Sequence, residues 1–483
     1  MAVLISPVKR IRPLKQIHLK KTIVVKRPIV EVFHYVSHFE NNDQWDSSVK
    51  ESRKISPGRI GVGTRFELNF GFGPFMGTVL YEVKNYEKDK SIWFHGIGSS
   101  YEGEEKVSFY KIDESSTQIN YEMDFHFKGL LKFFGDSLQK NKLGFGGRDF
   151  KGLKEALEVV PPGPKATLID SMKDALIIPS VLNFTKRGHR KGKKRWTPLS
   201  SYLGGKKVLL TGGSSGLGRA AALGLARLGA DLTIVSRNEE KSWQTAFLVE
   251  EETGQKVHVE KRDLSLLEEV KDLSEKLLKG GRPIDVLINN AGALYNEREV
   301  TSEGFEKSFA LLLLSPFVLT ENLFPLLKKN PQSRVINVSS GGMYTQALKL
   351  KGLEMKPENY NGSVAYARAK RGLVTLSEVW AKEWASDLIN VNSMHPGWAD
   401  TPGVVHSLPS FYKIMEPYLR TPEEGSDTII WMASAPELDK MSGHFFLDRV
   451  PRKTFLIPGT KPSADLVSKF YDYMKEKARP YLI

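Results

Sequence analysis

The apolar positions of this chain follow two different rhythms. Between residues 17 and 127 they come in short, partly alternating, aromatic-rich runs: Thr64–Phe72, Met76–Val83, Ser91–Gly98, Val107–Ile112 and Gln118–Phe127. Successive side chains on a strand face opposite ways, so such runs, separated by Gly, Asp, Asn and Ser, predict half-buried strands. One helix interrupts early, with Pro28 suited to a first turn and Val32, Phe33 and Val36 on one face. A second is expected over Asp136–Val159, where Leu143, Phe150, Leu153 and Leu157 recur near helical spacing before Pro161, Pro162 and Pro164 end it. From Lys206 strands alternate with helices, the pattern of a parallel sheet covered on both faces. Its expected strands are Val208–Leu210, Leu232–Val235, Val257–Glu260, Val286–Ile288, Val335–Val338, Val391–Ser393 and Phe445–Leu447.

The fold class expected is therefore an α+β domain over 17–160, an antiparallel sheet curled around a helix, followed by a doubly wound α/β parallel sheet over 204–483. Residues 161–203 hold a basic run, prolines and the short apolar piece Ala175–Leu182, and are expected as a linker with room for one docking helix. A length of 483 residues fits two domains, and a hydrophobic fraction of 40% with 26% charged residues excludes wholesale disorder. With no cysteine, disulfides, thiolate metal sites and cysteine nucleophiles are all excluded.

A net charge of +14 suggests nucleic acid until it is located. Residues 1–27 carry eight basic residues and no acid, and 186–195 carry seven more and no acid. The rest is nearly neutral. No nucleic-acid partner is expected; the two basic segments are solvated tails or linkers, with peripheral contact to an anionic membrane as the alternative. The apolar stretch Phe309–Leu327 is broken by Glu321, Asn322 and two prolines, so it reads as a buried core helix, in a soluble cytoplasmic protein.

The segment Lys206–Arg219, KKVLLTGGSSGLGR, runs a buried strand into a glycine turn and a helix. Gly212, Gly216 and Gly218 allow close backbone approach, so a pyrophosphate can meet the open N–H groups of the helix start. The next strand ends in Ser236 and Arg237. An acid there would take the ribose hydroxyls of NAD; a neutral residue and an arginine suit the 2′-phosphate of NADP, with NAD as the alternative.

TGGSSGLG, Asp263-Leu264, NNAG at Asn289–Gly292, NVSS, YARAK and HPGWADT follow in order, and over roughly residues 204–450 the chain resembles the short-chain dehydrogenase/reductase family. The resemblance implies a cofactor site drawn from Thr211, Gly212, Ser214, Ser215, Gly216, Leu217, Gly218, Ser236, Arg237, Asp263, Leu264, Asn289, Ala291, Gly292, Pro396, Gly397 and Thr401, with Tyr366 and Lys370. It also implies an oxidoreductase in which Lys370 holds the nicotinamide ribose and Ser340 the substrate oxygen, Ser339 being the alternate.

The Y-x-x-x-K pattern alone is uninformative, since it starts at Tyr86, Tyr202, Tyr366, Tyr471 and Tyr473. Only Tyr366–Lys370 falls on a helix after the fifth strand of the second half, where i and i+4 share a face. A cation ~5 Å from a phenol at an effective dielectric of ~20 is worth roughly 3 kcal/mol, about two pKa units. Tyr366 is therefore expected to be acidified into a proton donor or acceptor near neutral pH.

Two departures from the family pattern stand out. The long insert between Ser340 and Tyr366, over Thr345–Ser363, is expected to form a flap over the substrate mouth. Leu312 stands where the family places an asparagine that shapes a proton relay to the lysine, and leucine cannot hydrogen-bond.

Residues 17–158 resemble the helix-grip superfamily of polyketide cyclases and START lipid-binding (SRPBCC) domains. The carriers are the leading strand through Val25, the RPIVEVFHYVSHFENNDQWDSSV stretch, the GVGTRF run and the closing helix. Such folds leave an apolar cavity, which Phe66, Phe70, Phe72, Trp93, Phe94, Phe109, Phe125 and Phe127 would line unless they fill the core. His34, His38, His95 and His126 match no usual ligand spacing, and no metal is expected. Two functions stay in view: a dehydrogenase or reductase acting on a hydrophobic carbonyl or alcohol, beside a lipid-type ligand domain, and a lipid-binding protein whose dehydrogenase half turns over weakly.

Overall fold

A computed structural model describes residues 16–72, 75–99, 101–128, 150–167, 182–196, 201–457 and 459–483. It divides into two compact units near Val160.

The first unit is a seven-stranded sheet formed by β1 (Gln16–Val25), β2 (Val49–Lys54), β3 (Arg65–Phe72), β4 (Phe75–Glu87), β5 (Ser91–Gly98), β6 (Tyr101–Asp113) and β7 (Ser116–Phe127). Its order is β1-β7-β6-β5-β4-β3-β2 and its ladders are antiparallel, so the first strand joins the last. The period-2 pattern becomes burial: along β5 Ile92 and Phe94 are buried, while Trp93 between them is 41% exposed under the Lys106 ammonium. Trp93 is thus on the outer face and lines no interior. Phe66, Phe94, Phe109 and Phe125 are buried in the core, where Phe39 stacks on Phe94 at 4.0 Å and Phe33 meets Phe109 at 5.2 Å. Phe70 is half-buried, and the side chains of Phe72 and Phe127 lie outside the described residues. The helix Ile29–Ser37 buries Val32, Phe33 and Val36 as its spacing requires. Of the expected closing helix, Phe150–Glu158 is described; it seats Leu153 and Leu157 on the sheet, and the part before it lies outside the described residues.

The second unit is an eight-stranded sheet: β8 (Lys207–Thr211), β9 (Asp231–Ser236), β10 (Val257–Lys261), β11 (Val286–Asn289), β12 (Arg334–Val338), β13 (Asn390–Met394), β14 (Phe445–Leu447) and β15 (Val450–Arg452). The order β10-β9-β8-β11-β12-β13-β14-β15 is parallel through β14, with β15 returning antiparallel. Strand order reverses between β8 and β11, and ligands of open α/β sheets bind at such a switch point beyond the carboxyl ends of the strands. The helical stretch Lys307–Lys328 is long and apolar enough to cross a membrane by composition, but 78% of that window is buried inside the unit.

The expected linker is more structured than a tether. Ala175–Leu182 lies outside the described residues except for Leu182, and the basic run itself forms the helix Lys186–Lys193. This segment belongs to the second unit. Phe184 is buried there, its carbonyl accepting from Trp398 N at 2.7 Å. Arg420 donates to the carbonyls of Asn183 and Thr185 at 2.6 and 3.2 Å while forming a buried ion pair with Asp448.

Candidate active site

The glycine turn sits at the switch point. Gly212 has φ +71°, and a Cβ on Gly218 would fall 2.0 Å from the Gly212 carbonyl oxygen, so the turn and the helix Gly216–Arg227 can touch only without a side chain there. Ser215 at the helix start makes no side-chain cap, leaving first-turn N–H groups open toward a cavity of about 270 Å³. Gly212, Ser214, Ser215, Gly216, Leu217, Gly218, Ser236, Arg237, Asp263, Leu264, Ala291, Gly292 and Thr401 all line it, as the motifs predict. Asn290, Arg262, Tyr295 and Leu311 are among the further residues that line it, outside the set that the motifs imply.

Tyr366, Lys370, Pro396 and Gly397 line an adjoining space instead, and two expected members, Thr211 and Asn289, line neither. Thr211 uses its hydroxyl to bridge strands, donating to the Ile288 carbonyl and accepting from Asn290 N and Ala291 N. Asn289 is buried and donates to Thr320 Oγ1 and Asn337 Oδ1, below the cavity. Its neighbour Asn290 takes the cavity position and donates to the carbonyls of Thr211 and Gly212. Strand alternation sends only one of two adjacent side chains each way, which a motif read as NNAG does not resolve.

At the far end of the cavity Ser236 donates to Ser214 Oγ at 2.9 Å. Arg237 stands beside the Tyr295 hydroxyl, whose pKa burial pushes up to about 12. Arg262 Nε is buried with no partner among the described residues, while its Nη1 donates to Lys261 O. A nucleotide fits the chemistry of this cradle: open helix N–H groups at the centre, guanidinium groups at one end.

The cradle continues into a second cavity of about 340 Å³, the two sharing Leu217, Asn290, Gly292, Ala293, Thr401 and Gly403. Tyr366, Lys370, Ser340, Pro396 and Gly397 line this second space, with Leu294, Val404, Leu408, Trp398 and Phe411 as its apolar wall. Tyr366 and Lys370 belong to the helix Gly362–Glu383, capped at its start by Asn361. Ser340, at the end of β12, has its hydroxyl facing the phenol and accepting from Gly342 N. Ser339 is turned away, its hydroxyl donating to Lys370 O at 3.1 Å. Both serines line the second cavity, and of the two hydroxyls it is that of Ser340 that meets the phenol.

Charge at the pair differs from expectation. The Lys370 ammonium stands 5.8 Å from the centroid of the Tyr366 ring and donates to Val338 O at 2.7 Å. Burial pushes Tyr366 above the ordinary phenol range, with the Ser340 hydroxyl pulling the other way, and burial lowers Lys370 to about 8. Desolvation is the largest influence on both groups.

Leu312 is fully buried in a π-widened turn, Ala310–Leu314. A Cβ on Gly292 would lie 3.2 Å from Leu312 Cδ2 and 3.7 Å from Lys370 Nζ, so hydrocarbon and ammonium face the same glycine. The insert 345–363 is not a free flap: Leu348, Leu353 and Met355 are buried, and Arg368 and Arg298 hold the Gly352 and Met355 carbonyls. From that stretch Ser363 alone, among the described residues, lines the second cavity. The helices Pro402–Ser407 and Pro409–Met415 wall it instead.

A nucleotide cradle opening onto a Ser-Tyr-Lys cluster at the switch point of a doubly wound sheet defines the class, and the chain belongs to the short-chain dehydrogenase/reductase family. The family model for short chain dehydrogenases matches residues 206–409, and that for polyketide cyclase/dehydrase and lipid transport matches 16–158. Among curated proteins it is similar to dehydrogenase/reductase SDR family member 12 of Bos taurus, 37% identical over 62% of this chain and 95% of that protein. It is also similar to retinol dehydrogenase 14 of Mus musculus, 32% identical over 50% of this chain and 78% of that one. Among solved structures, a Pseudomonas aeruginosa RhlG/NADP complex is 28% identical over 51% of this chain and 95% of its own, with a TM-score of 0.42.

Proposed function

We propose that this chain is an NADP-dependent oxidoreductase interconverting a hydrophobic carbonyl and its alcohol, with Tyr366 as the acid/base. The observation that carries this reading is the position of Tyr366, Ser340 and Lys370 where the nucleotide cradle opens into a mainly apolar cavity. The nicotinamide, when bound, supplies or accepts the hydride at C4. Ser340 then hydrogen-bonds the substrate oxygen, and Tyr366 gives it a proton as negative charge develops there. A phenol held neutral by burial is ready as the donor in the reductive direction. Lys370 keeps a positive charge beside the phenol below pH of about 8 and so favours the phenolate left behind. Resemblance to proteins named retinol dehydrogenase supports an apolar alcohol or carbonyl. Support for NADP over NAD is the absence of an acid at the end of β9, where Ser236 and Arg237 stand, and the nearby Arg262. The first unit, similar to lipid-transport domains, would bind a related apolar ligand.

Leu312 favours a second reading, a lipid-binding protein with a nearly dormant dehydrogenase unit. One experiment separates them: nucleotide binding and oxidation of NADPH or NADH by the full chain over long-chain aldehydes and ketones. Substrate-dependent oxidation, faster with NADPH and lost in Tyr366→Phe, is expected. Tight nucleotide binding without oxidation on any substrate would support the second reading.

A further inference from the structure

The basic helix Lys186–Lys193 is fastened to the catalytic unit with its charges outward. Gly188, His189 and Gly192 form its buried face, and a Cβ on Gly192 would come within 3.1 Å of Asp448 Cβ. Beyond its end Trp196 donates to Asp448 O at 3.0 Å beneath the Arg449 guanidinium, 4.2 Å from the ring centroid. Arg187, Arg190, Lys191, Lys193 and Lys194 are exposed, and none makes an ion pair or side-chain hydrogen bond with a described residue. Cations near the helix end complement its dipole, but Arg187 in the first turn opposes it, and like charges three and four apart repel. The helix therefore holds a cationic face at an electrostatic cost that an anionic surface would relieve.

That face is mechanically continuous with the substrate cavity. Phe184, just ahead of the helix, packs its ring 4.4 Å from His395 and 5.6 Å from Trp398, both of which line the cavity. Leu182 in the same segment is an exposed apolar side chain, and Ile414, on the helix that supplies Phe411 to the cavity wall, and Tyr418 after it are exposed as well. Exposed cations with scattered exposed apolar side chains are what a lipid–water interface accepts. The partner favoured over nucleic acid is lipid, because the segment packs against the wall of an apolar cavity, and because Trp196, which follows the helix, is already engaged by Asp448 and Arg449 and not free to stack on bases.

We propose that the Lys186–Lys193 face docks the catalytic unit on an anionic phospholipid surface, bringing the substrate cavity to lipid-borne carbonyl or alcohol substrates. Docking itself needs neither cofactor nor turnover, so its test is independent of the redox reading. The full chain is floated with vesicles of phosphatidylcholine alone or containing phosphatidylserine, at low and high salt. Expected is binding to the anionic vesicles only, weakening as salt rises. With roughly fivefold per cation at an anionic surface, joint replacement of Arg187, Arg190, Lys191, Lys193 and Lys194 by Glu should weaken binding by about 10³-fold or more. Replacing Lys9, Arg10, Arg12 and Lys15 by Glu should leave most of it, which separates the two basic segments. If the five-residue variant fails to fold, Lys191→Gln/Lys194→Gln should still give a loss of about 25-fold. Unchanged binding after helix charge reversal, equal binding to neutral vesicles, or displacement from vesicles by duplex DNA or RNA at equal charge would overturn the proposal.

Discussion

Lys370 donates to the carbonyl of Val338 at 2.7 Å, and the same ammonium lies 5.8 Å from the Tyr366 ring centroid. The lysine is thereby anchored to the end of β12 while its charge remains beside the phenol. Burial lowers its pKa to about 8 and raises that of Tyr366, so at neutral pH the pair is ammonium plus neutral phenol.

Tyr366→Phe removes the proton donor while keeping the ring that walls the cavity. Turnover should fall about 10²–10⁴-fold, the usual contribution of a positioned acid/base. Nucleotide affinity, measured by quenching of intrinsic fluorescence, should change little.

Leu312→Asn places an amide in the π-widened turn opposite Gly292 and Lys370. If loss of a proton relay limits the natural chain, kcat should rise about tenfold or more, with the nucleotide dissociation constant nearly unchanged. The fully buried amide should lower unfolding free energy by about 1–3 kcal/mol unless it finds partners. Urea titration beside steady-state kinetics reads both effects.

Arg237→Asp exchanges an exposed guanidinium at the cradle's end for a carboxylate. A hydrogen bond to a charged group contributes about 1.5–3 kcal/mol, so NADPH affinity should fall roughly 10- to 100-fold while NADH affinity holds or improves. Isothermal titration with both nucleotides checks the inversion.

His395 carries the clearest pH signature. Burial, with Arg420 adding to it, lowers its pKa to about 3, and its Nδ1 meets the Gly341 N–H at 3.1 Å. The unfolded chain takes up a proton below pH ~6.5 that the folded chain refuses, so the stability this group confers is complete above that pH and declines toward pH 3. At pH 5 the loss is about 2 kcal/mol. The melting temperature of His395→Asn should therefore fall less than that of the unmodified chain between pH 7 and pH 5.

What the sequence determined about this protein is what contiguous residues determine. Period-2 runs placed β5 from Ser91 to Gly98, alternation of strands and helices set the parallel sheet, and the turn from Thr211 to Gly218 announced a nucleotide cradle. Each is a local property, fixed by backbone geometry and by which face of one element must be dry. Tertiary structure decided what depends on several distant segments at once. It placed Asn290 rather than Asn289 at the cavity, set the Ser340 hydroxyl against the Tyr366 phenol, folded the 345–363 insert into the core, and drew Phe184 and Arg262 into the surroundings of the two cavities. It also reversed the expected direction of the Tyr366 shift, because desolvation depends on every atom packed around a group, whereas the Tyr366–Lys370 spacing conveys only the attraction between two of them.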